Sequence, residues 1–211
     1  MPSLTDYDPI SLTVFAALAL LSMAALTVCL FKTIQFQRLG VGRSDRTDDI
    51  LEAWLGGRPD EAIRAASDGD TVGTRVLQAV LAGLRARPND AAYAEELGRN
   101  AARREMGLLE RRMRVLEAVV QGAPMLGLLG TVIGMIDAFS TLSLSQGAVD
   151  STLLASGIWV ALTTTAAGLA IAVVTFFIAI WLESRIEMER QVLESAVSTA
   201  VHGRVQSGRT R

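Results

Sequence analysis

The sequence holds a single cysteine, Cys29, and a single histidine, His202, in 211 residues. A lone cysteine excludes an intramolecular disulfide framework, and a lone histidine excludes a multi-histidine metal or relay site within one chain. Neither a metal nor another cofactor is expected. An excess of charge is missing too: 20 basic residues meet 22 acidic ones, a net −2, and no basic stripe is gathered that would hold nucleic acid. No nucleophile–base pair and no phosphate loop stand out, so an enzyme is not expected. What the chain has in plenty is apolar residues, 50% of the total, with a mean hydropathy of +0.35. That exceeds what a water-facing surface tolerates and points to a membrane.

Three long runs contain little or no charge. Residues 10–31 are uncharged and, at about 1.5 Å per residue, long enough to cross a hydrocarbon core. Asp6 and Asp8 precede this run and no Lys or Arg does, so a retained span is expected there rather than a signal peptide. Residues 115–142 form a second run, interrupted by Pro124, Gly127, Gly130 and Gly134 and reaching Asp137. Such breakers are tolerated in membrane helices packed against neighbours, and Pro124 is expected to bend this one. Residues 155–182 form the third, uncharged and long enough to cross with tilt. The short segment 143–154 makes spans two and three an antiparallel hairpin.

The basic residues orient these spans. Fifteen lie in 32–114 and five in 183–211, with none in 1–31 or 115–182. By the positive-inside rule, residues 1–9 and the 143–154 turn are periplasmic, and 32–114 and 183–211 are cytoplasmic. The expected fold is an all-α integral membrane protein of three spans, N-out and C-in. Its long helices extend into a helical cytoplasmic domain at 32–114, with a C-terminal helix and tail at 183–211.

Within 32–114, Asp48 and Asp49 are expected to start a helix that Gly56-Gly57 stops. A second begins at Arg58-Pro59-Asp60 and runs through Ala66, and Val72 to Arg87 makes a third, with Val76, Val80 and Leu84 on one face. From Asn89 no strong breaker appears before Gly122-Ala123-Pro124, which predicts one helix running straight into span two. Glu105 with Arg111 and Glu110 with Arg114 are expected to decorate it. Gly203 to Arg211 read as disordered, with His202 exposed beside them.

No ionisable residue lies near mid-membrane, since Glu117 sits at the cytoplasmic edge of span two and Asp137 near its outer edge. Either acid could serve a pore mouth or be a solvated interfacial charge. A proton relay normally needs an intramembrane ionisable group, and this chain alone lacks one. It offers small and hydroxyl residues instead: Gly127, Gly130, Thr131 and Gly134 in span two, Thr163, Thr164, Thr165 and Gly168 in span three. Two readings stay open, close helix packing with threonines bonded to their own backbone, or a pore lining. Trp159 and Trp181 fit interfacial anchors at the ends of span three, and Cys29 a small apolar residue.

The run Gly122 to Phe139 (GAPMLGLLGTVIGMIDAF) resembles the second-span signature of the ExbB/TolQ/MotA proton-channel family, closest to its ExbB and TolQ branch. Gly157 to Leu169 (GIWVALTTTAAGL) is similar to that branch's third-span motif. The resemblance implies a bacterial inner-membrane ring of five chains whose second and third spans line a pore. A dimer of a single-span ExbD/TolR-like partner inside it supplies the proton-carrying aspartate, and a TonB- or TolA-like protein reaches onward. The family's pore threonines fall on Thr131 and Thr165, with Thr164 beside them, while Val160 stands where that branch has a glutamate and Val173-Val174 where it has a proline. The implied function is a proton-channel subunit that turns proton motive force into mechanical work. A MotA-like motility stator and a non-conducting membrane scaffold are the alternatives.

Overall fold

The computed structural model describes residues 9–42, 45–144 and 151–208, all of whose regular structure is helical. Seven helices follow in order: α1 (Pro9–Leu39), α2 (Asp45–Leu55), α3 (Pro59–Ser67), α4 (Val72–Ala86), α5 (Ala91–Glu110), α6 (Met113–Leu144) and α7 (Ser151–Gly208). Three stretches, in α1, α6 and α7, are long and apolar enough to cross a membrane. The expectations for residues 1–8, for residues 145–150 of the 143–154 turn and for residues 209–211 fall outside the described residues.

The chain divides into two units. One holds the residues up to Leu30 with Arg112–Ile180; the other holds Phe31–Arg111 with Trp181–Arg211. α1 and α7 contribute residues to both.

In the first unit the buried residues of each helix recur three and four apart: Val14, Leu18, Ala25 and Val28 on α1, Leu116, Val119, Ala123, Gly127 and Gly130 on α6. On α7 they are Ala161, Thr164, Gly168, Ala172, Thr175 and Ala179. The α6 and α7 stripes are mostly small residues, which let backbones approach closely where lipid removes any hydrophobic drive between helices. Large side chains face outward instead, including Met125, Leu128 and Ile136 on α6 and Trp159, Leu162 and Phe177 on α7.

The second unit is built as a water-soluble core is built. The α7 spacing continues, now through Leu182, Ile186, Leu193 and Ala200. Ile50, Trp54, Val76, Leu77, Val80, Leu81 and Leu109 complete the core, and Trp54 Nε1 donates to the Ala200 carbonyl at 2.9 Å. Local chemistry sets the helix ends. Gly57 takes φ +78° after α2, Pro59 opens α3, Thr71 Oγ1 accepts from the Thr74 N–H before α4, and Asp90 Oδ1 accepts from the Tyr93 N–H before α5.

Several expectations need correction. α5 and α6 are separate helices: α5 stops at Glu110, and Arg112 adopts a left-handed φ of +73°. The reason is tertiary, because Lys32 Nζ donates to the Leu109 carbonyl and Gln35 Nε2 to the Leu108 carbonyl, so two α1 side chains replace the next helical turn. The break also removes the expected charge pairs. Glu105 pairs with Arg75 at 3.2 Å, and Glu110 with Arg190. α2 begins at Asp45 rather than Asp48, and α7 stays helical past Gly203 as far as Gly208.

Candidate functional site

The Gly and Thr residues of the two motifs meet along the α6–α7 seam. A Cβ at Gly127 would lie 2.9 Å from both the Thr164 carbonyl oxygen and the Thr165 Cα, and one at Gly134 would lie 2.9 Å from the Ala161 Cβ. A Cβ at Gly168 would run into the Ala123 carbonyl. A Cβ at Gly130 would lie 2.9 Å from the Thr164 Cβ and 3.0 Å from the Val14 Cγ1 of α1. These glycines are therefore required by close backbone approach, in keeping with GxxxG chemistry. Pro124, half-buried one turn earlier, lies inside α6, which continues through it.

The threonines divide sharply. Thr164 is 0% exposed, and its hydroxyl donates to the Ala161 carbonyl at 2.6 Å while also facing the Gly127 carbonyl of α6 at 3.2 Å. Both partners are helix carbonyls, so the Thr164 hydroxyl is held within the α6–α7 seam. Thr131 is half-exposed, donates to the Leu128 carbonyl at 2.7 Å, and lines an open groove on α6 with Val132, Met135, Ile136, Phe139 and Ser140. Thr165 is half-buried, and its Oγ1 is buried without a hydrogen-bond partner. Such an orphan is uncommon in a folded chain and calls for a reason.

Val160 is half-buried on α7. Glu117 and Asp137 are both exposed on α6, twenty positions apart, which at about 1.5 Å per residue separates them by about 30 Å, one hydrocarbon thickness. No ionisable residue stands between them, nor in residues 151–182. The arrangement can offer hydroxyls and carbonyls to a passing proton but no acid of its own.

A profile of the MotA/TolQ/ExbB proton channel family matches residues 69–195, more than half of the chain and inclusive of both motifs. The chain belongs to this family. Among similar proteins, the putative biopolymer transport protein ExbB-like 3 of Synechocystis sp. is 27% identical over 159 residues, covering 75% of this chain and 74% of that protein. ExbB-like 1 of the same organism is 32% identical over 162 residues, covering 74% of this chain and 61% of the relative. The biopolymer transport protein exbB1 of Vibrio cholerae is 46% identical over 61 residues, 29% of this chain and 27% of that one. With the three apolar helices, membership of the proton channel family makes the chain a multi-pass inner-membrane protein, nearest the ExbB branch.

One buried acid lies outside the residues that the sequence analysis singles out. Glu189 of α7, 5% exposed, accepts a hydrogen bond from the Gly42 N–H at 2.8 Å, and burial pushes its carboxyl above the ordinary range while that N–H draws it back down. Its place in the apolar stripe of α7, between Ile186 and Leu193, is the one clue that could have marked it.

Proposed function

We propose that this chain is the ring-forming, proton-conducting subunit of an inner-membrane motor, and not an enzyme. The observation that carries the reading is the family match across both the α6 and α7 motifs. Relatives named as biopolymer transport proteins support the same role in energy transduction for transport. In this reading the chain sits N-out and C-in, with the Phe31–Arg111 and Trp181–Arg211 unit in the cytoplasm. Five copies enclose a pore lined by α6 and α7, and lipid covers the outward apolar side chains.

The proton carrier comes from elsewhere. A dimer of single-span ExbD/TolR-like chains in the pore presents an aspartate, and the hydroxyls of Thr131 and Thr165 solvate it without placing a fixed charge in lipid. Val160 leaves the ring without the branch's third-span glutamate, so the partner's acid works against hydroxyls and water. Each proton crossing the membrane releases about 2.3 kcal/mol per 100 mV. Neutralising the aspartate loosens its hold on one subunit, the inner dimer moves, and a TonB- or TolA-like protein receives the work.

Native mass spectrometry of the complex from its own membranes tests the assembly, with five copies and two single-span partners expected. Proton flux in proteoliposomes tests conduction: Thr131→Val and Thr165→Val keep shape but remove the hydroxyl, and each should lower flux. A ring without such a partner, conducting nothing, would favour the scaffold.

A further inference from the structure

Where the uncharged runs 10–31 of α1 and 155–182 of α7 end, a cavity of about 270 Å³ lies between the two helices. Phe36, Gln37 and Val41 line it from the end of α1 and just beyond, and Trp181 and Arg185 line it from α7. No carboxylate lines it. The Arg185 guanidinium lies over the Trp181 ring, 5.6 Å from the centroid. Residues four apart on a helix are neighbours, so Glu189 is the acid placed to pair with Arg185. It turns instead to the Gly42 N–H, accepting at 2.8 Å. Among the described residues Arg185 has no carboxylate partner, and the side chains of Gln37 and Trp181 have no hydrogen-bond partner. Three donors, one of them charged, therefore meet an apolar wall with no acceptor assigned to them.

We propose that this cavity binds the headgroup of an anionic phospholipid, whose phosphate pairs with Arg185 while Gln37 and the Trp181 indole N–H donate to headgroup oxygens. A guanidinium stacked on an aromatic face keeps its in-plane N–H groups for a phosphate, and it is more weakly hydrated than an ammonium. The depth suits a headgroup, since both apolar runs end here and a tryptophan stands at the boundary. Phe36, Val41 and the Trp181 ring offer glycerol and the start of an acyl chain an apolar wall, which gives a dissolved phosphate nothing. The inference rests on the chain's place in the membrane, whichever way it is threaded, and not on proton conduction.

The test titrates the full chain, purified in a neutral detergent, with phosphatidylglycerol or phosphatidylcholine in mixed micelles and counts bound lipid by native mass spectrometry. One phosphatidylglycerol per chain should be retained. Phosphatidylcholine should bind about tenfold more weakly, because the cavity has no carboxylate to take the choline cation. Arg185 is exposed, so Arg185→Gln leaves the core intact and should weaken phosphatidylglycerol about tenfold. Trp181→Phe, which keeps a ring and removes the N–H, should weaken it about threefold. Arg38→Gln removes an exposed charge from the last turn of α1, outside the cavity, and should change nothing. Equal weakening by Arg185→Gln and Arg38→Gln, or equal binding of the two lipids, overturns the proposal. A rise in apparent Tm with inorganic phosphate as large as that with phosphatidylglycerol also overturns it, in favour of a site for free anions.

Discussion

Gly127 of α6 lies against Thr165 of α7 so closely that a methyl group on the glycine would come within 2.9 Å of the Thr165 Cα. The contact is backbone against backbone, and it brings the second-span motif to the third-span threonine at a point where no side chain can adjust. The energetics of the candidate site follow from this stiffness.

Gly127→Ala should therefore destabilise the chain by about 1–3 kcal/mol, the usual range for overpacking. Gly107→Ala supplies the contrast. Gly107 sits exposed in α5 with no atom within 4 Å of a built Cβ, so alanine there should stabilise by about 0.5–1 kcal/mol through lost unfolded-state freedom. Thermal unfolding in detergent measures both, and the two shifts should have opposite signs.

Lys32 is 0% exposed, and its ammonium donates to the Leu109 carbonyl and, at 3.2 Å, to Gln35 Oε1, with the Phe36 ring centroid 5.9 Å away. Lys32→Met keeps the aliphatic stem but leaves the end of α5 without this donor. A loss of about 1–3 kcal/mol is expected, with faster amide exchange in the last turn of α5. Exchange equal to wild type there would show that the break at Arg111–Arg112 holds without the lysine.

Glu189 should make stability depend on pH in a direction opposite to most carboxylates. Its folded pKa lies above the ordinary 4.5, so the folded chain keeps a proton that the unfolded chain has already released. Stability from this group is full below pH 4.5, falls as pH rises through the raised folded pKa, and is flat above it. Glu189→Gln retains an oxygen for the Gly42 N–H and should remove that fall. Apparent Tm measured across the acid-to-neutral range reads the difference, and parallel curves for the two proteins would count against it.

Trp54→Phe should cost about 2 kcal/mol, since it removes buried volume and the 2.9 Å donation to the Ala200 carbonyl. The effect should appear as faster exchange near the end of α7, where that carbonyl belongs, with the α6–α7 seam unchanged.

Much of the fold was legible because its determinants are local or periodic. Uncharged runs of membrane length mark α1, α6 and α7, and the punctuation at Gly56-Gly57 and Pro59 separates α2 from α3. The α5–α6 break was not legible. Nothing between Asn89 and Pro124 forbids a helix, and only the reach of Lys32 and Gln35 across 77 and 73 residues of sequence shows why it stops. The charge pairs obey the same logic, as sequence proximity favours Arg111 and Arg114 while the fold offers Glu105 and Glu110 to Arg75 and Arg190.

Amino-acid order alone shows that this chain carries three apolar runs of membrane length, where their small residues lie, and which family motifs they compose. Composition and spacing suffice for that, because a helix satisfies its own backbone and its hydrophobic demand is written residue by residue. Three neighbouring threonines, however, are chemically identical in one dimension. Only the tertiary structure separates them, by burying Thr164 between two carbonyls and leaving the Thr165 hydroxyl with none. A hydrogen bond needs an acceptor at a particular point in space, and packing α7 against Gly127 and Gly130 decides where those acceptors lie.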